Sequence, residues 1–299
     1  MKRRTPSATA LSIAGNFATA AADPALRPLL SDPETPYWRR FVLAHSLGAR
    51  WKLFLWSFPP TRRFLWNLSE SVLPGGALHI LLRKRVVEET VRSALEGGAT
   101  QAVSFGAGFD PLFLRLAPHF PGVRFYELDH PDTQSVKRRA LEAEGVPERV
   151  ELLSVDFRRE VAGERLRACP EYDPAARTVF IAEGVLMYLS PPEVAELMET
   201  VYAGGGSEST FLFTVVEKEV LERPDSTLAR MAGSLERLGE PLRSSLSRKE
   251  LDSFLRRYGF RRRLLLDRTD LKKKYLDPLG MQRTLIEGEL LVVARSAAR

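Results

Sequence analysis

A single cysteine, Cys169, is all the thiol chemistry in 299 residues. One thiol excludes an internal disulfide and any multi-cysteine metal site, so no metal centre is expected and a reducing, cytoplasmic setting is implied. Cys169 falls in a polar stretch between strands and reads as a bystander. Long apolar runs are also missing. No stretch approaches the ~18 to 20 uninterrupted apolar residues of a membrane span, so the chain reads as not integral to a membrane. Histidine is scarce, limited to His45, His79, His119 and His130. Internal repeats and low-complexity segments are absent.

What is present describes a soluble enzyme. With 44% hydrophobic and 27% charged residues, the chain can bury one large core beneath a cap. The net charge of +6 comes partly from Arg256-Arg257, Arg261-Arg-Arg263 and Lys272-Lys-Lys274. These charges flank a helix and a strand whose apolar positions face inward, with no interleaved aromatic platform, so no nucleic-acid partner is expected. Met1-Lys-Arg-Arg4 and the alanine-rich stretch after it imitate a secretory leader, but Ser12, Gly15, Asn16 and Thr19 interrupt the apolar core. Residues 7–22 therefore read as a helix.

The strongest motif is Val103-Ser-Phe-Gly-Ala-Gly-Phe-Asp110, an apolar strand breaking into a Gly-X-Gly turn. A second apolar run ends in Asp129, 21 residues after Gly108. A glycine turn lets a ligand approach the backbone, and an acid at the next strand tip can accept two ribose hydroxyls, which points to a nucleoside-type cofactor. A strand-to-helix turn using glycine only for positive φ remains the plainer reading. Val150 to Asp156-Phe157 and Thr178 to Glu183-Gly184 add two more runs with polar tips, at the ends where open α/β sheets bind ligands. Pro111 stands where a dinucleotide fingerprint has its third glycine, which weakens a dehydrogenase reading.

Periodicity predicts helix 76–96, strand 99–105, helix 111–118, strand 123–129, helix 132–144 and strand 150–156. Strand 178–183, helix 191–203 behind a Ser190-Pro-Pro-Glu193 capping box, and strand 209–216 follow. A charged helical insertion over about 218–246 comes next, then a helix from Ser247 to Tyr258 and closing antiparallel strands near 260–267 and 288–295. The expected division is a helical cap over 1–75 and a core over 76–299. Tyr37, Trp38, Trp51, Phe54, Trp56, Phe58 and Trp66 make the cap aromatic, either over a closed apolar pocket or simply packed on the sheet.

These residues resemble the class I S-adenosylmethionine-dependent methyltransferases, and within them the leucine carboxyl methyltransferase group, which includes tetracenomycin-type polyketide O-methyltransferases. Arg83, Phe105 to Asp110, Arg115-Leu116, Tyr126 to Pro131, Lys137-Arg138, Val155-Asp-Phe157 and Ile181 to Leu189 carry the likeness, best over 76–195. Pro111-Leu112 and Glu88 depart from the group's usual Thr-Arg and Asp. The resemblance implies a Rossmann-like seven-stranded α/β sheet with an antiparallel final strand. It implies S-adenosylmethionine as cofactor, with Arg83 on its carboxylate and Glu183 on its ammonium. Gly106 and Gly108 would admit the methionine portion, Asp129 would bind the ribose and Asp156 with Phe157 the adenine, and Asp110 is a further cofactor-binding candidate.

The residues themselves leave alternatives open. Arg83 sits in a basic run that would ordinarily be solvated, Asp156 can cap a turn, and Glu127 shares Asp129's strand face as a rival ribose ligand. Tyr188 either lines the acceptor pocket or packs, and His45 is the one histidine considered near an acceptor. Arg40, Arg50 and Lys52 are candidate cations for an acceptor carboxylate. The expected activity is O-methylation of a carboxylate or hydroxyl on a small, polyketide-like or aromatic acceptor. A protein's terminal leucine and a non-catalytic cofactor-binding module are the competing readings.

Overall fold

The computed structural model describes residues 8–21, 23–30, 34–45, 51, 54–55, 58–146, 149–237 and 239–297. Among them, seven strands form one sheet: β1 Gln101–Phe105, β2 Arg124–Asp129, β3 Glu151–Ser154, β4 Thr178–Ala182, β5 Thr210–Val216, β6 Phe260–Leu266 and β7 Glu289–Ser296. Their order is β3-β2-β1-β4-β5-β7-β6. β1 pairs in parallel with both β2 and β4, placing Ser104 opposite Glu127 and Ile181. The winding direction reverses between these neighbours, so a crevice opens at their carboxyl ends. β7 runs antiparallel to β5 on one side and β6 on the other, as the closing pair was expected to do.

The helices are α1 Ala8–Ala20, α2 Glu34–His45, α3 Pro59–Val72, α4 Gly76–Glu96, α5 Leu112–Leu116, α6 Pro131–Ala143, α7 Ala162–Arg167, α8 Pro191–Ala203, α9 Lys218–Leu221, α10 Thr227–Arg237, α11 Leu251–Arg257 and α12 Arg268–Leu271. Strand side chains alternate between two cores. Ala102, Phe125, Val179 and Leu212 face the layer of α1, α2, α4, α5 and α6. Val103, Phe105, Tyr126, Phe180 and Phe211 face α7, α8 and α11. α4 contributes Leu78, Leu81, Leu82 and Val86 at helical spacing, which seats it along the sheet directly before β1.

Several element ends differ from expectation. β3 stops at Ser154, and the next backbone N–H, on Val155, still reaches Asp129 O at 2.8 Å. α11 begins four residues past Ser247, because residues 248–250 form a turn first: the Ser247 hydroxyl accepts from Lys249 N at 3.3 Å while donating to Glu219, and Ser247 O accepts from Glu250 N at 3.0 Å. α7 was not expected at all; a six-residue stretch with only Ala162, Gly163 and Leu166 buried is too short to show a period. The capping box of α8 is present, with Ser190 N donating to Glu193 at 2.6 Å. β6 places Arg261, Arg262 and Arg263 on an exposed sheet edge, where charge discourages pairing with another chain.

The amino-terminal helices pack onto this core through rings. Phe17 of α1 stacks on Trp38 of α2 at 4.7 Å, and Phe41 of α2 on Phe109 at 6.2 Å. At the other end, the segment after α10 is pinned by Arg243 N to Met187 O at 2.7 Å and Leu246 N to Val216 O at 2.9 Å. No described helix is long and apolar enough to cross a membrane.

Candidate functional site

The Gly-X-Gly turn follows β1 directly and holds a backbone that other residues cannot easily adopt. Gly106 has φ +64°, and a Cβ there would lie 2.5 Å from Val185 Cγ2. Gly108, at φ +55°, donates its N–H to Asp129 Oδ2 at 2.5 Å, and His130 N donates to Asp129 Oδ1 at 2.6 Å. The glycine turn and the acid that follows it are therefore one hydrogen-bonded unit. Burial raises the Asp129 carboxyl above its ordinary range, outweighing these two backbone bonds. Each of its oxygens keeps a second lone pair for a hydroxyl.

A cavity of about 1350 Å³ extends from these strand tips to α1, α2, α3 and α10. Arg83, Gly106, Gly108, Asp110, Asp129, Asp156, Phe157, Glu183 and Tyr188 all border it, so the tertiary structure gathers nine of the ten candidates. Trp38, Trp66, Met231, Leu235 and Ile286 add apolar wall, and Arg243 is a cation at that end, bonded to Glu193 at 2.9 Å. Ordinary small-molecule sites enclose about 300 to 1,000 Å³, so this space admits two ligands side by side.

Arg83 is not solvated. Its Nε donates to Glu183 at 2.7 Å and its Nη1 to Glu289 at 2.6 Å, and the residue is 6% exposed. Lys84 bridges Glu183, at 2.9 Å, and Asp110. Arg85, one position on, turns outward to Pro28 O at 2.9 Å. Burial acts against the Glu289 carboxylate, yet Arg83 and His79 hold its pKa down at about 2. Burial likewise opposes ionised Asp110, and Lys84 overrides it, holding that carboxyl below its usual range.

Asp156 does cap a turn, its Oδ1 accepting from Arg158 N at 3.2 Å, and it borders the cavity as well, so its two readings coexist. Phe157 sits edge-on to Phe105 at 6.3 Å. Glu127 is separated from its rival by depth: it is 2% exposed, ion-paired to Lys137 at 2.5 Å, and absent from the large cavity's wall. Glu88 forms a buried two-pronged pair with Arg115 at 3.1 and 2.6 Å, away from the cavity.

His45 is a correction. It ends α2 outside the cavity wall, with Nδ1 buried and unpartnered among the described residues, and burial lowers its pKa. Arg40 is a second, since it pairs with Glu144 at 3.4 Å on the α6 side. Arg50 and Lys52 lie outside the described residues. The aromatic segment divides: Trp38 and Trp66 reach the cavity, Trp51, Phe54 and Phe58 are exposed, and Trp56 lies outside the described residues. Sequence reasoning also missed Lys84, Glu289 and His79. The signal for Glu289 was available, an acid opening the otherwise apolar run Leu290-Leu-Val-Val-Ala294.

A polar glycine cradle at the switch point of a parallel sheet, closed by an antiparallel strand, defines the class I methyltransferase architecture. Comparison with known proteins agrees. The leucine carboxyl methyltransferase family model matches residues 10–202, well over half of the chain, and the chain belongs to that family. A Frankia alni relative, provisionally named as an S-adenosyl-L-methionine-dependent methyltransferase, is 33% identical over 150 residues, covering 49% of this chain and 51% of the relative. One from Mycolicibacterium gilvum with the same provisional name is 32% identical over 213 residues, covering 68% and 64%. The chain spans about half the length of the first of these. A solved structure from Thermobifida fusca, provisionally called a methyltransferase, shares the fold with TM-score 0.57 at 18% identity, covering 87% of this chain and 94% of its own. The cofactor of the family is S-adenosylmethionine.

The residues present suit that cofactor. A guanidinium and a carboxylate lie side by side for an amino-acid zwitterion, a glycine turn leaves no Cβ in the way, and a half-buried carboxylate stands at the next strand tip.

Proposed function

We propose that the protein is an S-adenosylmethionine-dependent O-methyltransferase acting on a carboxylate or hydroxyl of a small, apolar, aromatic or polyketide-like acceptor. The observation that carries this reading is one continuous cavity, charged at the strand tips and apolar under the cap. In this reading Arg83 takes the cofactor's carboxylate, Glu183 its ammonium and Asp129 its ribose hydroxyls. Asp156 and Phe157 border the adenine, and Gly106, Gly108 and Asp110 the methionine portion. Residues 1–75 act as the cap and about 218–246 as an insertion closing the acceptor end. The single cysteine is in keeping with a reducing, cytoplasmic setting, and the resemblance to polyketide O-methyltransferases is what supports a role in secondary metabolism.

S-adenosylmethionine supplies a methyl group on a positively charged sulfur. The chain's own task is to orient the acceptor and exclude water, an effect worth up to ~7 to 11 kcal/mol in favourable systems. A carboxylate acceptor is ionised at neutral pH and needs no base, and Arg243 is the cation available to orient it. A phenol, ordinarily near pKa ~10, would use a hydrogen-bonding partner, for which Tyr188 is the candidate on the wall.

The test is transfer of labelled methyl from S-adenosylmethionine to a panel of aromatic acids, phenols and a leucine-ended peptide. Labelled aromatic product is the expected outcome. Labelling of the peptide alone would replace the acceptor class, and saturable cofactor binding without transfer to any acceptor would favour a binding module.

A further inference from the structure

The Arg83 guanidinium is gripped from two directions. Glu183 Oε1 accepts from Nε at 2.7 Å, and Glu289 Oε1 accepts from Nη1 at 2.6 Å. Glu289 arrives from the first residue of β7, 206 positions away in sequence. Its other oxygen lies 2.9 Å from Nε2 of His79, a residue with no exposed surface one turn before Arg83 on α4. Nη2 makes no hydrogen bond among the described residues, and a Cβ on Gly184 would lie 3.5 Å from it. Arg83 and Gly184 both line the cavity, and Nη2 is the guanidinium nitrogen nearest Gly184, with its donors uncommitted among the described residues.

Glu183 alone is a poor anchor for this geometry. Its second oxygen already holds Lys84 at 2.9 Å, and in the proposed function it must also meet the ligand's ammonium. A carboxylate with three cationic claimants cannot fix the plane of one of them. Glu289 has no such conflict: its oxygens are divided between Arg83 and His79. The two acids bind Nε and Nη1, which leaves Nη2 as the end of the planar fork free for an incoming anion. We propose that Glu289, itself held by His79, is a positioning residue that keeps Arg83 aimed at the carboxylate of the cofactor's amino-acid portion. The inference rests on the cofactor reading given above.

The experiment is calorimetric titration of wild-type and Glu289→Gln protein with three ligands. S-adenosylhomocysteine has both carboxylate and ammonium, its decarboxylated amine keeps only the ammonium, and 5′-methylthioadenosine has neither. Glu289→Gln is expected to weaken S-adenosylhomocysteine by about 10- to 100-fold, the usual consequence of disturbing a charged hydrogen bond. The other two ligands should be unaffected. A loss shared by the amine would mean that Glu289 meets the ammonium itself, and a loss shared by all three would reduce it to a structural role. No loss at all would remove it from the site, and any of these results overturns the proposal. His79→Gln, which leaves both acids in place, should show the same selectivity with smaller amplitude, and keeps the test available if Glu289→Gln does not fold. Equal affinities in His79→Gln would exclude His79 from the clamp. Wild-type protein that binds none of the three would instead sink the cofactor reading, an outcome distinct from a wild type that binds and variants that do not discriminate.

Discussion

At the sheet end of the cavity, Arg83, Lys84, Asp110, Asp129 and Glu183 are each held by a charged or backbone partner within a half-buried network. At the other end, Trp66, Met231, Leu235 and Ile286 present apolar surface, with Glu240 and Arg243 the charged residues beside them. The first region is directional and geometrically specific, because buried charges are tolerated only when paired. The second is mostly apolar, and apolar surface tolerates volume-conserving change. A single cavity thus joins a recognition site of fixed chemistry to one whose selectivity rests on packing.

The comparison predicts unequal responses to substitution. Arg83→Met should be the most damaging, since it leaves Glu183 and Glu289 without their shared cation; a loss of about 3 to 5 kcal/mol in urea unfolding is expected. A variant of near wild-type stability would show that the network is not tightly coupled. Acid sensitivity comes next. Glu289 titrates near 4.5 in an unfolded chain and about 2 when folded, so its contribution is complete above the ordinary value and lost as pH falls towards 2. The lowered value corresponds to about 3 kcal/mol, and the stability of Glu289→Gln should depend less on pH across that window. Parallel pH profiles for the two proteins would remove Glu289 as the source.

Asp129→Ala should weaken S-adenosylhomocysteine binding by about 1 to 3 kcal/mol, the cost of leaving donors unmatched around a lost charged acceptor. Unchanged affinity would take Asp129 out of the cofactor region. The smallest effect on the cofactor is expected at the other end: Met231→Ala should change its affinity by less than about 0.5 kcal/mol while raising the acceptor KM. If Met231→Ala disturbs cofactor and acceptor alike, the two ends are one energetic unit and the contrast fails.

The legible part of the site was the part carried by strand tips. Asp129, Asp156 and Glu183 end apolar runs, Asp110 follows the glycine turn after β1, and a run that ends in an acid marks a sheet edge without knowledge of what lies opposite. Arg83 was legible only through resemblance, because one basic residue in a run of three looks solvated until helix rotation shows Arg83 and Lys84 turned inward and Arg85 out. The short α7 and the true start of α11 escaped for a related reason: the first lacks a full period, and the second is set by a turn at Ser247 whose hydroxyl bonds both Lys249 N and the distant Glu219. His45 was misplaced because an aromatic neighbourhood in sequence carried no information on which face of α2 it would occupy.

By itself, the sequence determined the alternation of strands and helices, the glycine turn with Asp129, and the polar residues at four strand ends. All of these follow from side-chain period and backbone sterics acting within a few residues. Only the tertiary structure decided which acids share Arg83, that Glu127 lies too deep to reach the cavity, and that Trp66 and Met231 face one space across it. Those outcomes join residues up to 206 positions apart, where the contact is chosen by how the sheet and its covering helices pack and by the cost of burying a charge without a partner.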